Sequence, residues 1–247
     1  MKRDILGVMV DSVTMAEAVE QLSGYMDTTD SHIVVTPNAE ILKMCVEDKA
    51  VADAVGKASF VSPDGVGILY AAKALGTPVK EKIAGCDLGL NLLYEAAKKQ
   101  KSVFFFGAKP GVADTAAKNL CEKVPGLKIA GTRDGYFKPE QTDEIINQIN
   151  ESGASVLWVC LGAPRQELWM AEHKDKLRVG VMLGLGGSLD VYAGNVKRAP
   201  KIMIDLKVEW LYRLIKEPYR LGRMMKIPSV LILAKKEAKR RKKNAGN

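Results

Sequence analysis

Near the middle of the chain stands the sequence Val103-Phe104-Phe105-Phe106-Gly107-Ala108-Lys109-Pro110-Gly111. The four apolar residues at its start predict a short buried strand, and the glycine- and proline-containing turn predicts where that strand ends. Apolar side chains at helical spacing follow in residues 112–124. A strand, a tight turn and a helix in this order form the repeating unit of α/β sheets.

The same alternation continues in both directions along the chain. The predicted strands are residues 33–35, 60–61, 103–106, 127–130, 156–161 and 179–183, with a further apolar run at 5–10. The predicted helices are residues 14–26, 68–75, 88–99, 112–124 and 142–149, with Asn38 as a cap for one more. This order predicts an α/β fold, a Rossmann-like and mostly parallel sheet flanked by helices.

Composition excludes several classes of protein. The chain has 247 residues, of which 47% are hydrophobic, so it can bury a core and is not disordered. Its apolar runs fall short of the ~20 residues that span a bilayer, and no secretory signal is visible at the start. The four cysteines form no CxxC pair and the two histidines stand apart. We therefore predict no zinc site and a reducing, cytoplasmic location.

The positive charge is concentrated at the C-terminal end. The formal net charge is +8, but residues 201–247 hold 14 Lys and Arg against 4 Asp and Glu, while the other 200 residues carry a net charge of −2. We expect an α/β domain at 1–198 and a basic helical appendage at 199–247. Pro218 and Pro228 should interrupt helices there, and the charged run 235–243 should fray. The charge indicates an anionic partner: nucleic acid, a membrane surface or a phosphorylated substrate.

Polar and glycine residues collect where the predicted strands end, which is where open α/β sheets bind ligands. The loop with Gly107, Lys109 and Gly111 is either an ordinary turn or a phosphate cradle at a helix N-terminus. It is not a P-loop, and neither it nor residues 184–187 has the GxGxxG spacing. A nicotinamide dehydrogenase is therefore disfavoured.

Asp64 is the strongest candidate for acid–base chemistry. It lies between Pro63 and Gly65 at a predicted strand end, where it is either a helix N-cap or a general base facing a cleft. Asp87 and Asp190 are weaker candidates. No Asp-x-Asp pair occurs in the chain, which disfavours a metal–diphosphate clamp.

Other polar residues have two interpretations as well. Gln166 is either a solvated loop amide or a ligand for a substrate hydroxyl. The appendage residues Arg213, Arg220 and Arg223 share one broad helical face, which is either solvated or a cationic wall that grips a diphosphate. The apolar residues among them must pack on the body, on lipid or on another subunit. We therefore expect a homo-oligomer when lipid is absent, through residues such as Ile202, Leu211 and Ile215.

Together these motifs resemble those of the WecG/TagA/CpsF glycosyltransferases. The resemblance covers about residues 5–223, in the expected order. It rests on Thr36-Pro37-Asn38-Ala39-Glu40, Pro63-Asp64-Gly65, the Gly-Tyr-Phe of 131–137, Gly162-Ala163-Pro164-Arg165-Gln166-Glu167, and residues 186–200 with Asp190, Ala193-Gly194 and Arg198-Ala199-Pro200.

The resemblance implies an inverting, metal-independent enzyme without a cofactor. Such an enzyme transfers N-acetylmannosamine from a UDP-sugar donor to the 4-hydroxyl of N-acetylglucosamine on undecaprenyl diphosphate, a polyprenyl-diphosphate-linked acceptor, in wall teichoic acid linkage synthesis. It works as a peripheral protein at the inner face of the cytoplasmic membrane.

The resemblance also implies residue roles. Asp64 would be the base, and Thr36, Asn38 and Gln166 would position the sugars. The loop at 107–111 and the glycines around Gly186 would cradle uridine diphosphate, while Arg213, Arg220 and Arg223 would close over the site. An arginine is expected where this chain has Lys82, so Lys82 as a diphosphate ligand is a hypothesis.

Two alternatives stay open at this stage. A related transferase could use another donor, such as UDP-N-acetylmannosaminuronic acid or UDP-glucose. A nucleic-acid-binding protein could use the basic tail, with steeply salt-dependent affinity. That tail lacks interleaved aromatic residues, and nucleic-acid binding would leave the strand-end loops unexplained, so we expect no nucleic-acid partner.

Overall fold

The computed structural model describes residues 1–196, 200, 203, 212, 222 and 226–245. The strands are β1 (Lys2–Ile5), β2 (Val8–Asp11), β3 (His32–Val35), β4 (Phe60–Val61), β5 (Ser102–Gly107), β6 (Lys128–Arg133), β7 (Val156–Cys160) and β8 (Val181–Gly184). The helices are α1 (Met15–Tyr25), α2 (Ala39–Glu47), α3 (Lys49–Gly56), α4 (Gly65–Ala74), α5 (Gly85–Lys98), α6 (Val112–Lys123), α7 (Thr142–Glu151), α8 (Arg165–His173), α9 (Ser188–Tyr192) and α10 (Lys226–Ala245).

Six strands form one parallel sheet in the order β4-β3-β8-β7-β5-β6. Helices cover both faces, so side chains alternate along each strand between two apolar layers. On β5, Phe104 and Phe106 enter one layer, while Val103 and Phe105 enter the other. The predicted α/β fold is confirmed, and all parallel strands point their carboxyl ends at the same edge.

The N-terminal apolar run is not one element. β1 and β2 form a separate antiparallel hairpin, whose turn places Leu6 at φ 55° and Gly7 at φ 88°. The apolar run at residues 5–10 therefore spans the end of β1, this left-handed turn and most of β2. The buried Asp11 carboxylate accepts a hydrogen bond from the Val61 backbone N–H at 2.9 Å and so attaches the hairpin to β4.

The C-terminal helix α10 packs on the body of the protein, against α2 and α4. Val230 and Ala234 have no exposed surface and join the apolar layer that contains Phe104 and Phe106. The predicted fraying of residues 235–243 was wrong, because the packed face and ion pairs hold the helix. Glu237 pairs with Arg240 and Arg241, and Arg241 also reaches Asp4 at 2.8 Å.

Pro228 lies within the described part of α10, which continues through it to Ala245. Pro218 and the apolar residues Ile202, Leu211 and Ile215 lie outside the described residues. The expected boundary between residues 198 and 199 stays a prediction. No helix in the described parts of the chain is long and apolar enough to cross a bilayer.

Candidate active site

A cleft of about 1100 Å³ opens at the carboxyl edge of the sheet. The turns that follow all six parallel strands reach it, as do the start of α5 and Ile227 at the beginning of α10. The structure brings seven of the predicted site residues to its lining: Thr36, Asn38, Asp64, Lys82, Lys109, Gln166 and Gly186. One cavity therefore collects side chains that are up to 150 positions apart in the chain.

Asp64 occupies the N-cap position of α4 but does not cap that helix. Its side chain makes no cap hydrogen bond to the α4 backbone. Instead, Oδ2 accepts a hydrogen bond from the Gly85 N–H, the first residue of α5, at 3.3 Å. The carboxyl group is half-buried and lines the cleft. A carboxylate placed in this way can accept a proton from a bound hydroxyl.

Thr36 and Asn38 follow β3, the strand next to β4. The Asn38 carboxamide oxygen accepts hydrogen bonds from the backbone N–H groups of Glu40 and Ile41 at 2.8 and 3.2 Å, so the predicted cap is confirmed. The Thr36 hydroxyl donates to the Gly184 carbonyl at 2.9 Å and is buried. Both side chains therefore hold the turn as well as line the cleft.

Gly85, the first residue of α5, lies against both Thr36 and Asp64. A Cβ atom at Gly85 would lie 2.8 Å from Thr36 Oγ1, a distance real Cβ atoms essentially never show. The glycine thus lets the N-terminus of α5 approach Thr36 closely while its N–H reaches Asp64. Sequence reasoning missed Gly85, although it lies in the same segment as Lys82.

Gln166 is buried at the start of α8, with both ends of its amide bonded. Oε1 accepts from the Gly186 N–H at 2.9 Å, and Nε2 donates to Glu167 Oε1 at 2.8 Å. Glu167 has no exposed surface, and burial raises its pKa to about 7, with the negative charge of Glu40 adding to the effect. Sequence reasoning did not assign a role to Glu167, although the quoted motif contains it.

Only part of the predicted phosphate loop lines the cleft. Lys109 is exposed and lines the cleft, whereas Gly107 and Gly111 are not among the lining residues. Gly107 has φ +129°, and a Cβ there would lie 2.3 Å from the Cys160 carbonyl oxygen, so β5 and β7 meet closely at this position. Gly111 adopts a left-handed conformation at the N-cap of α6. Both glycines have a role in the backbone, and their role as ligands stays a prediction.

The cationic side chains of the cleft are spread around its rim. Lys82 is half-buried and lines the cleft. Arg165, which sequence reasoning did not assign to binding, donates to the Gly135 carbonyl at 3.0 Å and lies 4.5 Å from the centre of the Phe137 ring. Arg213, Arg220 and Arg223 lie outside the described residues.

Of the weaker candidates, Asp190 lines the cleft and Asp87 does not. Asp190 Oδ1 accepts from the Asn195 side chain at 3.2 Å. Within the part of the chain that the structure describes, no three His, Cys, Asp or Glu side chains are grouped so that they could hold a metal ion.

A parallel α/β sheet with a ligand-sized cleft at its carboxyl edge places the chain in the Rossmann-like class of α/β proteins. Comparison with protein families matches residues 3–244 to the family described as "Glycosyl transferase WecG/TagA/CpsF family". The chain belongs to this family, and the resemblance inferred from the motifs is confirmed.

Curated relatives share most of their length with this chain. It is 38% identical over 204 residues to a Bacillus spizizenii protein, which covers 83% of this chain and 79% of the relative. It is 36% identical over 218 residues to a Bacillus subtilis protein, covering 88% and 84%. A Staphylococcus aureus protein is 33% identical over 246 residues, covering 99% and 96%. Each relative is named N-acetylglucosaminyldiphosphoundecaprenol N-acetyl-beta-D-mannosaminyltransferase.

Proposed function

We propose that this glycosyltransferase moves N-acetylmannosamine from UDP to the 4-hydroxyl of N-acetylglucosamine carried on undecaprenyl diphosphate, in wall teichoic acid linkage synthesis. The names of the relatives supply the acceptor and the sugar. The observation that carries the proposal for this chain is the half-buried Asp64 carboxylate, which lines the cleft without capping its own helix.

The proposed reaction is one displacement at the anomeric carbon. The Asp64 carboxylate takes the proton of the acceptor hydroxyl, and the hydroxyl oxygen forms the new bond to C1 of the donor sugar. The bond between C1 and the diphosphate oxygen breaks, and its electron pair leaves with UDP. Attack from the face opposite the leaving group inverts the configuration at C1.

The departing diphosphate gains negative charge, which the site has to stabilise. Lys82 and Lys109 line the cleft and can supply positive charge to it. We propose that the appendage arginines Arg213, Arg220 and Arg223 contribute further charge when the chain closes on its substrates. In this proposal cationic side chains stabilise the leaving group, and no metal ion takes part.

The test is release of UDP from UDP-N-acetylmannosamine by the full-length protein, with EDTA present and with or without a lipid-diphosphate N-acetylglucosamine acceptor. We expect release only when the acceptor is present. Parallel reactions with UDP-N-acetylmannosaminuronic acid and UDP-glucose test the alternative donors. Acceptor-dependent turnover of one of those donors alone would overturn the proposed sugar and keep the proposed reaction.

We also propose that the protein binds the membrane peripherally through the exposed cationic part of α10. Lysines at positions such as Lys239 and Lys243 are exposed there, while the opposite face of the helix packs on the body. Anionic phospholipids attract such a basic helix without insertion. The expected homo-oligomer in the absence of lipid stays a prediction.

Vesicle sedimentation tests this proposal without truncating a packed helix. The double change Lys239→Glu and Lys243→Glu should reduce recovery on anionic vesicles severalfold at low salt. Lys118→Glu with Lys128→Glu is the matched control, because it changes the net charge equally at two exposed lysines elsewhere. Equal loss in both pairs would show that net charge, and not α10, governs binding.

A further inference from the structure

Glu167 is a buried carboxyl group that the proposed reaction does not use. It has no exposed surface, and only Oε1 has a hydrogen-bond partner among the described residues. Burying a carboxyl group with one partner costs folding free energy. Its neighbour Gln166 lines the cleft, so the position of Glu167 directly behind Gln166 has a consequence for the site.

The contacts of Gln166 permit only one orientation of its amide. Oε1 accepts from the Gly186 N–H and Nε2 donates to the Glu167 carboxyl. Rotating the amide by 180° would set two donors against each other at Gly186 and two acceptors against each other at Glu167. Nε2 carries two hydrogens and only one is bonded to Glu167, so the second N–H can serve a ligand in the cleft.

We propose that Glu167 is a positioning residue: its carboxyl oxygen fixes the Gln166 amide so that one N–H is presented to the sugar hydroxyls in the cleft and the Gly186 loop is held in place. The sugar as ligand rests on the proposed function. The orientation itself does not, because it follows from contacts within the protein.

The surroundings of Glu167 determine when it is charged. From α2, the negative charge of Glu40 raises the pKa of Glu167, and burial together with Glu167 raises the pKa of Cys45 to about 11. After α3, the Lys57 ammonium is directed to the Ala171 carbonyl at 3.2 Å. On the strands beneath α8, His32 stands at the opposite end of β3, and Cys160 enters the other apolar layer. Glu167 therefore ionises near neutral pH, and its bond to Gln166 becomes charge-assisted as the pH rises.

Side-chain amide NMR of the full-length, ¹⁵N-labelled protein tests the orientation without any substrate. The Gln166 signals, identified by their loss in Gln166→Met, should shift between pH 5.5 and 8.5 in the wild type. They should stay constant in Glu167→Gln and titrate normally in Glu172→Gln, which alters a glutamate with a 74% exposed side chain on the same helix. Gln166 signals that keep their wild-type positions in Glu167→Met, or that still titrate in Glu167→Gln, would overturn the proposal.

Activity separates a positioning role from a role in packing. Glu167→Gln keeps an acceptor oxygen for Gln166, whereas Glu167→Met keeps the size and loses the acceptor. We expect kcat/KM of the Met variant to fall about tenfold, as for one lost buried hydrogen bond, and the Gln variant to stay within about threefold of the wild type at pH 6. Equal kcat/KM for the Met variant and the wild type would contradict the proposal. A wild type that turns over no UDP-sugar would overturn the proposed function instead, and the NMR result would stand.

Discussion

The turns after β3 and β4 lie side by side, and each places a polar residue at the N-cap of the following helix. Only one of the two residues caps its helix. Each turn joins a parallel strand to a helix and places a short polar side chain at the N-cap position. Asn38 uses its side-chain oxygen to cap α2. Asp64 leaves the backbone of α4 uncapped by its side chain and reaches across to the Gly85 N–H.

The difference shows how one local geometry serves two purposes. An N-cap side chain ordinarily stabilises its helix by about 1 kcal/mol. Asn38 makes this contribution, and Asp64 does not make it to α4. Asp64 instead accepts from the start of α5 and lines the cleft, and variants of both residues test this division of roles.

The largest effect is expected for Asp64→Asn. The amide has nearly the same shape but cannot take a proton from the acceptor, so kcat should fall about a hundredfold or more. The midpoint of thermal unfolding should change little, because the amide oxygen of asparagine can still accept the hydrogen bond from the Gly85 N–H. Asp87→Asn, outside the cleft, is the control and should keep full turnover. Undiminished activity in Asp64→Asn would remove Asp64 as the base.

Glu167 is a second carboxyl group near the cleft but, unlike the half-buried Asp64, it is fully buried. Its pKa of about 7 lies above the ordinary value of 4.5, so the folded state binds the proton more tightly. Its contribution to stability is therefore complete below about pH 4.5 and is lost as the pH rises through 7.

Glu167→Gln should consequently gain stability relative to the wild type, by up to about 3 kcal/mol, when the pH is raised from 5 to 8. Urea unfolding at both pH values measures this difference. A difference between variant and wild type that is the same at pH 5 and pH 8 would contradict a titration of Glu167 in that range.

A smaller effect on substrate binding is expected for Lys82, three residues before Gly85. Lys82→Met should raise KM for the UDP-sugar about tenfold, through loss of one charged contact, and Lys82→Arg should retain binding. Lys80→Met is the matched control two residues away, because Lys80 pairs with Glu17 and does not line the cleft. If both methionine variants raise KM equally, the Lys82 contact is not specific.

The smallest effect is expected for the cap itself. Asn38→Ala should lower the free energy of unfolding by about 1 kcal/mol. Asp48→Ala removes the corresponding cap from α3, where Asp48 accepts from the Ala50 N–H at 2.8 Å away from the cleft. Comparing kcat/KM of the two variants measures any additional contact between Asn38 and substrate. Equal values would assign Asn38 to the fold alone.

Local patterns in the sequence predicted much of this arrangement. The run at residues 103–106 became β5, and Asn38 caps α2 as its residue type indicates. Parallel strands bring their carboxyl ends to one edge, which is why the polar turns could be expected to meet.

Contacts between distant segments were not predictable in this way. The partner of Asp64 lies 21 residues further along, on a helix whose approach depends on packing against Thr36. The burial of Glu167 depends on which face α8 turns inward, and two adjacent polar residues give no periodic signal of that. The packing of α10 depends on Val230 and Ala234, which stand in the apolar run 230–234, and the run alone does not indicate which of its side chains face the body.

The position of β8 affects how the protein is made. It is the last strand of the large sheet in sequence but lies at its centre, between β3 and β7. A ribosome therefore delivers β3 with β4, and later β5 to β7, before the strand that joins the two groups exists. Until β8 is made, each group of strands has an unpaired edge, which can form hydrogen bonds with a strand of another chain. The final sheet closes only after residue 184 has left the exit tunnel, and the cleft is then formed in a single late step.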